Sequence, residues 1–223
     1  MSASRYETHV TVRCPEPGEA ERLGRWAAAA GLKLTHIVLA RGRMRHQPML
    51  TLRGSRTYAQ ESARAERTVE RLRADGFRPV RVKIESSPWA AEVPREPCSD
   101  GRYFEHHVKL LLEAGTDTAA LAERVVPHGA HLSWNARRVR EDATHERFVT
   151  QRCHGVDAEG AGRALDGLLL DALAPLRVLE VEREFVLYDS DVSVDEGWLD
   201  EGRLDEGRLD GGRSAGRPEG VRR

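Results

Sequence analysis

The sequence predicts an α+β protein made of two tandem βαββαβ ferredoxin-like repeats, each with its own antiparallel sheet. The first observation behind this prediction is an internal similarity, with offsets between 97 and 99 residues. The matching segments are 6–10 (YETHV) with 104–108 (FEHHV), 49–53 (MLTLR) with 148–152 (FVTQR), and 82–85 (VKIE) with 179–182 (LEVE). The second observation is that strand-like and helix-like periodicities follow one another in the same order in both parts.

The first repeat is predicted at residues 1–90. Val10 and Val12 alternate with polar residues in its first strand, which is the period of a half-buried strand. Thr57 with Gln60 forms a capping-box pattern that predicts the start of its second helix. The six predicted elements lie at about residues 5–14, 18–31, 34–40, 49–53, 57–76 and 80–84.

The second repeat is predicted at residues 103–189 with the same order of elements, after a proline-containing linker at 91–102. Its first helix is expected to begin at Asp117 or Thr118. Residues 190–223 then repeat an Asp-Glu-Gly motif every five residues, a period that suits neither a helix nor a strand. So much glycine and charge predicts a disordered tail.

Composition restricts the classes of function. The formal net charge is −1, which removes a broad electrostatic case for a nucleic-acid partner. No run of 18 apolar residues is present, so no membrane partner is expected. The three cysteines show no paired spacing, and no signal-peptide pattern begins the sequence. Together these features predict a cytoplasmic protein.

Polar side chains of matching type share one face of the first strand in each repeat. Glu7 and His9 point together in the first copy, and Glu105, His107 and Lys109 do so in the second. The alternate residues are apolar and predict the core side. If the two polar faces pack together, a polar site lies between the repeats. The main interpretation is therefore a ligand-binding or interaction protein whose partner is a small molecule or another protein.

A metal-dependent enzyme is the first alternative. His9, Glu85, His107 and Glu182 would supply two imidazoles and two carboxylates to a divalent transition metal. Glu7 and Glu105 would act as catalytic bases or support the ligands. In layout this resembles the vicinal oxygen chelate enzymes, in which paired modules give metal ligands from their first and last strands. That resemblance implies metal-dependent chemistry on a small molecule, whereas the residues alone leave the cofactor unknown.

Phosphate or polyphosphate binding is the second alternative. Arg53 and Arg152 occupy matching positions, and guanidinium groups bind phosphate through two parallel hydrogen bonds. Further arginines line the two predicted hairpin loops, namely Arg41, Arg43, Arg45, Arg137, Arg138 and Arg140. The run Glu105-x-His107-x-Lys109 resembles the Glu-x-Glu-x-Lys strand of the triphosphate tunnel (CYTH) family. The resemblance implies an anionic ligand near Lys109, which would join Arg53 and Arg152 in holding it.

Overall fold

The computed structural model describes residues 6–137 and 144–198, which form two halves at residues 6–86 and 103–189. Each half has the order strand, helix, strand, strand, helix, strand. The strands are β1 Tyr6–Arg13, β2 Lys33–Leu39, β3 His46–Arg53, β4 Arg78–Ser86, β5 Tyr103–Glu113, β6 Ala130–Asn135, β7 Thr144–His154 and β8 Arg177–Asp189. The helices are α1 Glu19–Ala29, α2 Tyr58–Ala74, α3 Thr118–Val125 and α4 Ala158–Gly167.

The strands form one closed antiparallel barrel in the order β1-β3-β2-β6-β7-β5-β8-β4. The prediction of two separate sheets is therefore wrong. β2 pairs with β6, and β4 pairs with β8, so each half completes the sheet of the other. A separate four-stranded sheet would leave two edges with unpaired backbone groups, and closure of the barrel pairs part of each edge.

The helices pack on the outside of the barrel, where each half has an apolar core. In the first half Val10 and Leu50 pack with Leu23 of α1 and Leu72 of α2. In the second half the corresponding cluster joins β5, β6 and β7 to α3, α4 and the π-helix Leu168–Leu173 that continues α4. Because side chains alternate along a strand, the polar residues point into the barrel. The faces expected to be open thus line one shared interior.

Local signals place the helix starts. Thr57 accepts a hydrogen bond from the backbone N–H of Gln60, and Asp117 accepts two from the first turn of α3, so both predicted caps are confirmed. Each cap satisfies N–H groups that have no partner within the helix. None of the helices in the described ranges is both long and apolar enough to cross a bilayer.

The segment 190–198 lies across the end of the barrel at which β8 finishes. It contains the 3-10 helix Val192–Asp195, and Asp195 and Trp198 are buried. The indole Nε1 of Trp198 donates to the carbonyl oxygen of Leu132 at 3.0 Å. The predicted disordered tail is therefore wrong for its first nine residues, because these contacts with distant strands order them. Residues 199–223 lie outside the described residues.

Candidate functional site

A cavity of about 360 Å³ lies inside the barrel and is bounded by strands from both halves. Pockets of roughly 300–1,000 Å³ are typical of small-molecule sites. The strands β1, β4, β5 and β8 contribute mainly charged side chains to the lining. The other wall combines polar residues with the apolar residues Ile37, Leu39, Met49, Phe148 and Trp198.

The first half contributes a charged network at the more exposed part of the cavity. Arg53 donates to Glu7 through Nε at 2.6 Å and lies 2.5 Å from the same carboxylate oxygen through Nη2. The Nε2 atom of His9 lies 3.2 Å from Oε2 of Glu85. The ammonium of Lys83 lies 2.6 Å from the other oxygen of Glu85. Glu7 and His9, which the sequence placed on one face, therefore share a charge network with Glu85.

The second half contributes the corresponding network, in which the arginine is less exposed than Arg53. Arg152 donates to Glu105 through Nε at 2.6 Å. The Nε2 atom of His107 lies 3.0 Å from Glu105 and 3.4 Å from Glu184. Its Nδ1 atom lies 3.0 Å from the hydroxyl of Thr150. His107 is thus held between two carboxylates, with its other nitrogen anchored on the neighbouring strand.

The two networks meet across the halves. Lys83, from the first half, donates to Glu105 of the second half. Ligand atoms of Glu85, His107 and Glu184 all lie within 4.8 Å of one another. The structure therefore brings together Glu85 and His107 from the predicted metal set, and His9 joins them through its contact with Glu85.

Glu182, the fourth predicted metal ligand, does not join this group. In the strand register Glu7 pairs with Glu85, and Glu105 pairs with Glu184. Glu184 is therefore the counterpart of Glu85, and the predicted match of Glu85 with Glu182 is displaced by two residues. Glu182 is exposed at the rim of the cavity instead. A displacement of two residues keeps a side chain on the same face, so alternation does not detect it.

The pKa of each of these groups depends on its burial and on the charges of its neighbours. The two effects oppose each other for His107 and Glu85. Burial disfavours the charged form of His107, but hydrogen bonds and charges from Glu105 and Glu184 outweigh it and raise the pKa to about 10. Burial would raise the pKa of Glu85, yet Lys83 and His9 lower it to about 2. For Glu184, burial and the nearby charge of Glu85 raise the pKa above its usual value.

The two residues predicted as catalytic bases are both engaged in ion pairs. Glu105 is buried, and the charges of Lys83 and Arg152 outweigh the effect of burial and hold its pKa well below the usual value. A carboxylate with so low a pKa is a weak proton acceptor at neutral pH. Glu7 is bound by Arg53. Both carboxylates thus have cationic partners in this arrangement, Arg53 for Glu7 and Lys83 with Arg152 for Glu105.

The residues predicted to hold phosphate are likewise paired with carboxylates. Arg53 binds Glu7, Arg152 binds Glu105 and Asp195, and Lys109 lies 3.3 Å from Glu146. Of the arginines in the hairpin loops, Arg43 lies 3.4 Å from Glu196. Arg138 and Arg140 lie outside the described residues.

The closed end of the barrel contains a buried ion cluster that sequence reasoning missed. Asp195 accepts hydrogen bonds from Gln47 at 2.8 Å, from Arg81 at 2.6 Å and from Arg152 at 2.6 Å. Arg81 also binds Asp189 at the end of β8. Strand alternation places Arg81 on the same face as Lys83, so the sequence contained a signal for it. Asp195 gave none, because its motif repeats at a period that suits no regular element.

The exposed rim of the cavity bears charges of opposite sign on opposite sides. Lys33 and Arg137 lie at β2 and just after β6, whereas Glu180 and Glu182 lie on β8. In the eight-strand order, β2 and β8 are four positions apart and so face each other across the barrel. Within residues 6–137 and 144–198, none of these four side chains takes part in an ion pair.

Comparison with known proteins gives no family to which the chain can be assigned. No family profile and no curated protein matches the sequence. The acetolactate synthase small subunit from Thermotoga maritima is 11% identical, with coverage of 83% of this chain and 96% of that chain and a TM-score of 0.29. The regulatory subunit of aspartate kinase from Thermus thermophilus is 16% identical, with coverage of 76% and 93% and a TM-score of 0.30.

A chlorite dismutase variant from Candidatus Nitrospira defluvii gives a similar result. It is 12% identical, with coverage of 87% of this chain and 94% of that chain and a TM-score of 0.29. Scores at this level carry no inference about the site, so the function has to be argued from the residues themselves.

Proposed function

We propose that the protein binds a small organic molecule inside the barrel, between the two halves, and that this molecule has an anionic group and a cationic group separated by an apolar body. The observation that carries the proposal is the cavity of about 360 Å³ lined by residues of both halves. A concave site with apolar walls and a few converging polar groups is the usual form of a small-molecule site.

The charged side chains at the rim favour a ligand that has one anionic group and one cationic group. Lys33 and Arg137 are exposed cations on one side, and Glu180 and Glu182 are exposed carboxylates on the other. None of these groups has an ion pair in the described part of the chain, although the charge of Glu182 also acts on Arg53. A ligand carboxylate facing the cations and a ligand ammonium facing the carboxylates would match these charges. A ligand with one sign of charge would match only one side.

Apolar residues on one wall of the cavity favour a ligand with an apolar body between its charged groups. Ile37, Met49 and Phe148 face the cavity from β2, β3 and β7. Removal of apolar ligand surface from water contributes about 25 cal/mol per Å². A short methylene chain across this wall therefore adds binding free energy that a compact, fully polar ligand does not gain.

We also propose that the halves are two copies of one βαββαβ unit. Their strand orders, β4-β1-β3-β2 and β8-β5-β7-β6, correspond. Equivalent pairings join Glu7 to Glu85 and Glu105 to Glu184. A site between two copies explains why similar residues reach the cavity from both sides.

Polyphosphate fits these charges less well. Arg53 and Arg152 are bound to carboxylates, so a phosphate would have to displace them. Glu180 and Glu182 at the rim would repel a multiply charged anion. Binding of tripolyphosphate in preference to a molecule with both charges would therefore contradict the proposal.

The test compares probes of equal length by isothermal titration. The probe 6-aminohexanoate has a carboxylate and an ammonium at opposite ends of a methylene chain, whereas hexanoate and hexylamine each have one charge. We expect 6-aminohexanoate to bind more tightly than either, by about tenfold for each 1.4 kcal/mol that the second charge contributes. Tripolyphosphate completes the panel.

Matched variants assign the two ends of the probe. The Glu180→Gln/Glu182→Gln variant is expected to reduce the affinity for 6-aminohexanoate to that for hexanoate, because the ammonium loses its partners. Lys33→Met/Arg137→Met is expected to reduce it to that for hexylamine. Equal affinities for all three probes, or an affinity for 6-aminohexanoate that neither variant changes, would contradict the proposed ligand class.

A further inference from the structure

Three metal-ligating side chains meet beside the cavity. Glu85 comes from β4, His107 from β5 and Glu184 from β8, and one ligand atom of each lies within 4.8 Å of the others. Tetrahedral bonds of about 2.0–2.2 Å to one ion place ligand atoms about 3.3–3.6 Å apart. The group would therefore have to contract by about 1 Å to hold a single ion, and it draws on both halves of the barrel.

Glu85 has an incomplete set of hydrogen bonds. Its side chain is 1% exposed, and neither of its oxygens receives a correctly directed hydrogen bond within the described ranges. Lys83 lies 2.6 Å from one oxygen and His9 lies 3.2 Å from the other, so each oxygen has one ion-pair partner. Buried carboxylate oxygens normally accept hydrogen bonds, so an oxygen without one is an exception that needs a physical reason. Coordination of a cation would use the free lone pairs.

His107 is oriented in the way that metal-binding imidazoles are. Its Nδ1 atom lies 3.0 Å from the Thr150 hydroxyl, so a proton on Nδ1 can be donated to that oxygen. The other nitrogen, Nε2, lies 3.0 Å from Glu105 and 3.4 Å from Glu184. A hydrogen bond at the nitrogen remote from the metal fixes the tautomer and the ring orientation. Once an ion replaces the proton on Nε2, the lone pair of that nitrogen is directed toward the carboxylates of the group.

The local charge also accommodates a divalent ion. Glu85 and Glu184 bring two negative charges to the group, and Glu105 adds a third beside His107. Lys83 opposes a cation, but its ammonium is also bound by Glu105. A divalent ion that replaces the proton on Nε2 raises the local charge by only one unit.

We infer that Glu85, His107 and Glu184 form a binding site for one divalent transition-metal ion, Zn²⁺ or Mn²⁺. Zn²⁺ takes imidazole nitrogen and carboxylate oxygen together, and carboxylate ligands also suit Mn²⁺. Three protein ligands leave a coordination position for water or for a group of a molecule in the cavity. This inference is independent of the proposed organic molecule, because the three side chains can bind the ion when the cavity contains no such molecule.

The experiment titrates chelator-treated full-length protein with Zn²⁺ and, separately, with Mn²⁺. Isothermal titration measures the Zn²⁺ affinity, and electron paramagnetic resonance of free Mn²⁺ gives the number of bound ions. We expect one ion per chain. Glu184→Gln should weaken binding by about 100-fold or more, since loss of even an outer-shell partner costs about 10–100-fold. His107→Gln is the second variant, and the melting temperature of each variant shows that it is folded.

His9→Gln is the matched control, because His9 occupies the equivalent position in the first half but lies outside the group of three. We expect this variant to weaken binding by only about tenfold, because His9 contacts Glu85 and so supports one ligand without binding the ion itself. The absence of saturable binding to the wild type would overturn the inference. So would wild-type affinity in both Glu184→Gln and His107→Gln, or an equal loss in His9→Gln.

Discussion

The two halves of the barrel place the same Arg–Glu pair in different surroundings. In the first half, Arg53 binds Glu7 near the rim, and the arginine side chain is 55% exposed. In the second half, Arg152 binds Glu105, and the arginine side chain is 10% exposed. Both pairs join the first strand of a half to its third. The chemistry is shared, so the difference lies in what covers each pair.

The segment 190–198 shields the Arg152–Glu105 pair from water. Asp195 binds Arg152 from outside the two half-barrels and closes that end, whereas water reaches the end that contains Arg53. An exposed ion pair contributes little because water and salt screen it. A buried charge that loses its partner is strongly destabilising. Position in the barrel, rather than the residue pattern, therefore decides how far each Arg–Glu pair is exposed to water.

The largest expected effect compares Arg152→Ala with Arg53→Ala. Loss of Arg152 leaves Glu105 and Asp195 with less positive charge in a buried place, so the free energy of unfolding should fall by about 3–5 kcal/mol. Loss of Arg53 should change it by no more than about 1 kcal/mol. Urea unfolding of the two variants measures both values. Equal losses would show that the two ends of the barrel do not differ in the way described.

The next effect concerns the cover itself. Asp195→Asn should lower the free energy of unfolding by about 2 kcal/mol at neutral pH, because hydrogen bonds to charged groups contribute about 1.5–3 kcal/mol. Burial opposes ionisation of Asp195, but Arg152 and Arg81 outweigh it and lower its pKa to about 2 from a usual 3.8. The stabilisation is therefore present above pH 3.8 and is lost as the pH falls through about 2.

Glu196→Gln is the control for this substitution. Glu196 is 68% exposed and lies 3.4 Å from Arg43, so its loss should change stability by less than about 0.5 kcal/mol. Thermal unfolding from pH 7 to pH 2 measures both variants. A difference between wild type and Asp195→Asn that does not shrink toward pH 2 would contradict the role given to the Asp195 charge.

A smaller effect distinguishes the two imidazoles at alkaline pH. The folded pKa of His107 is about 10 and its usual value is 6.5, so its stabilising effect is complete below pH 6.5 and is lost as the pH rises toward 10. The slope from one such group is at most about 1.4 kcal/mol per pH unit. We expect metal-free wild type to lose about 1 kcal/mol between pH 7 and pH 8, and His107→Gln to lose less than half of that.

His9→Gln should keep most of the wild-type slope. For His9, burial lowers the pKa and Glu85 raises it above the usual value, but the positive charge of Lys83 opposes the protonated form. His107 instead has two carboxylate partners. Urea unfolding at half-unit pH steps tests the difference. A slope that His9→Gln removes and His107→Gln leaves intact would reverse the assignment.

Much of the local structure could be predicted because its signals are local. Alternation placed Val10 toward the helices and His9 toward the interior, and side-chain hydrogen bonds to the first turn marked the starts of α2 and α3. Closure of the barrel could not be predicted in this way. The β2–β6 and β4–β8 pairings join strand edges from different halves. The residues of an edge strand do not indicate which other strand it pairs with, because the pairing uses backbone groups.

The site was predicted in part for the same reason. His9, Glu85 and His107 were found because each lies on the polar side of a strand. Glu184 was exchanged for Glu182 because β8 spans 13 residues and β4 spans 9, so the two copies can be aligned with a shift of two that preserves the face. Asp195 could not be found, since its role exists only where Arg81 and Arg152 meet in the folded barrel.

The most direct test of the account uses the methionine methyl groups, because Met49 lines the cavity and Met44 does not. Protein labelled with ¹³C at the methionine methyl carbons gives three signals, for Met1, Met44 and Met49, which substitution of Met44 and Met49 by leucine assigns. On titration with 6-aminohexanoate, the account predicts that the Met49 signal moves to saturation while the Met44 signal stays in place. A stationary Met49 signal at saturating 6-aminohexanoate would contradict binding inside the barrel.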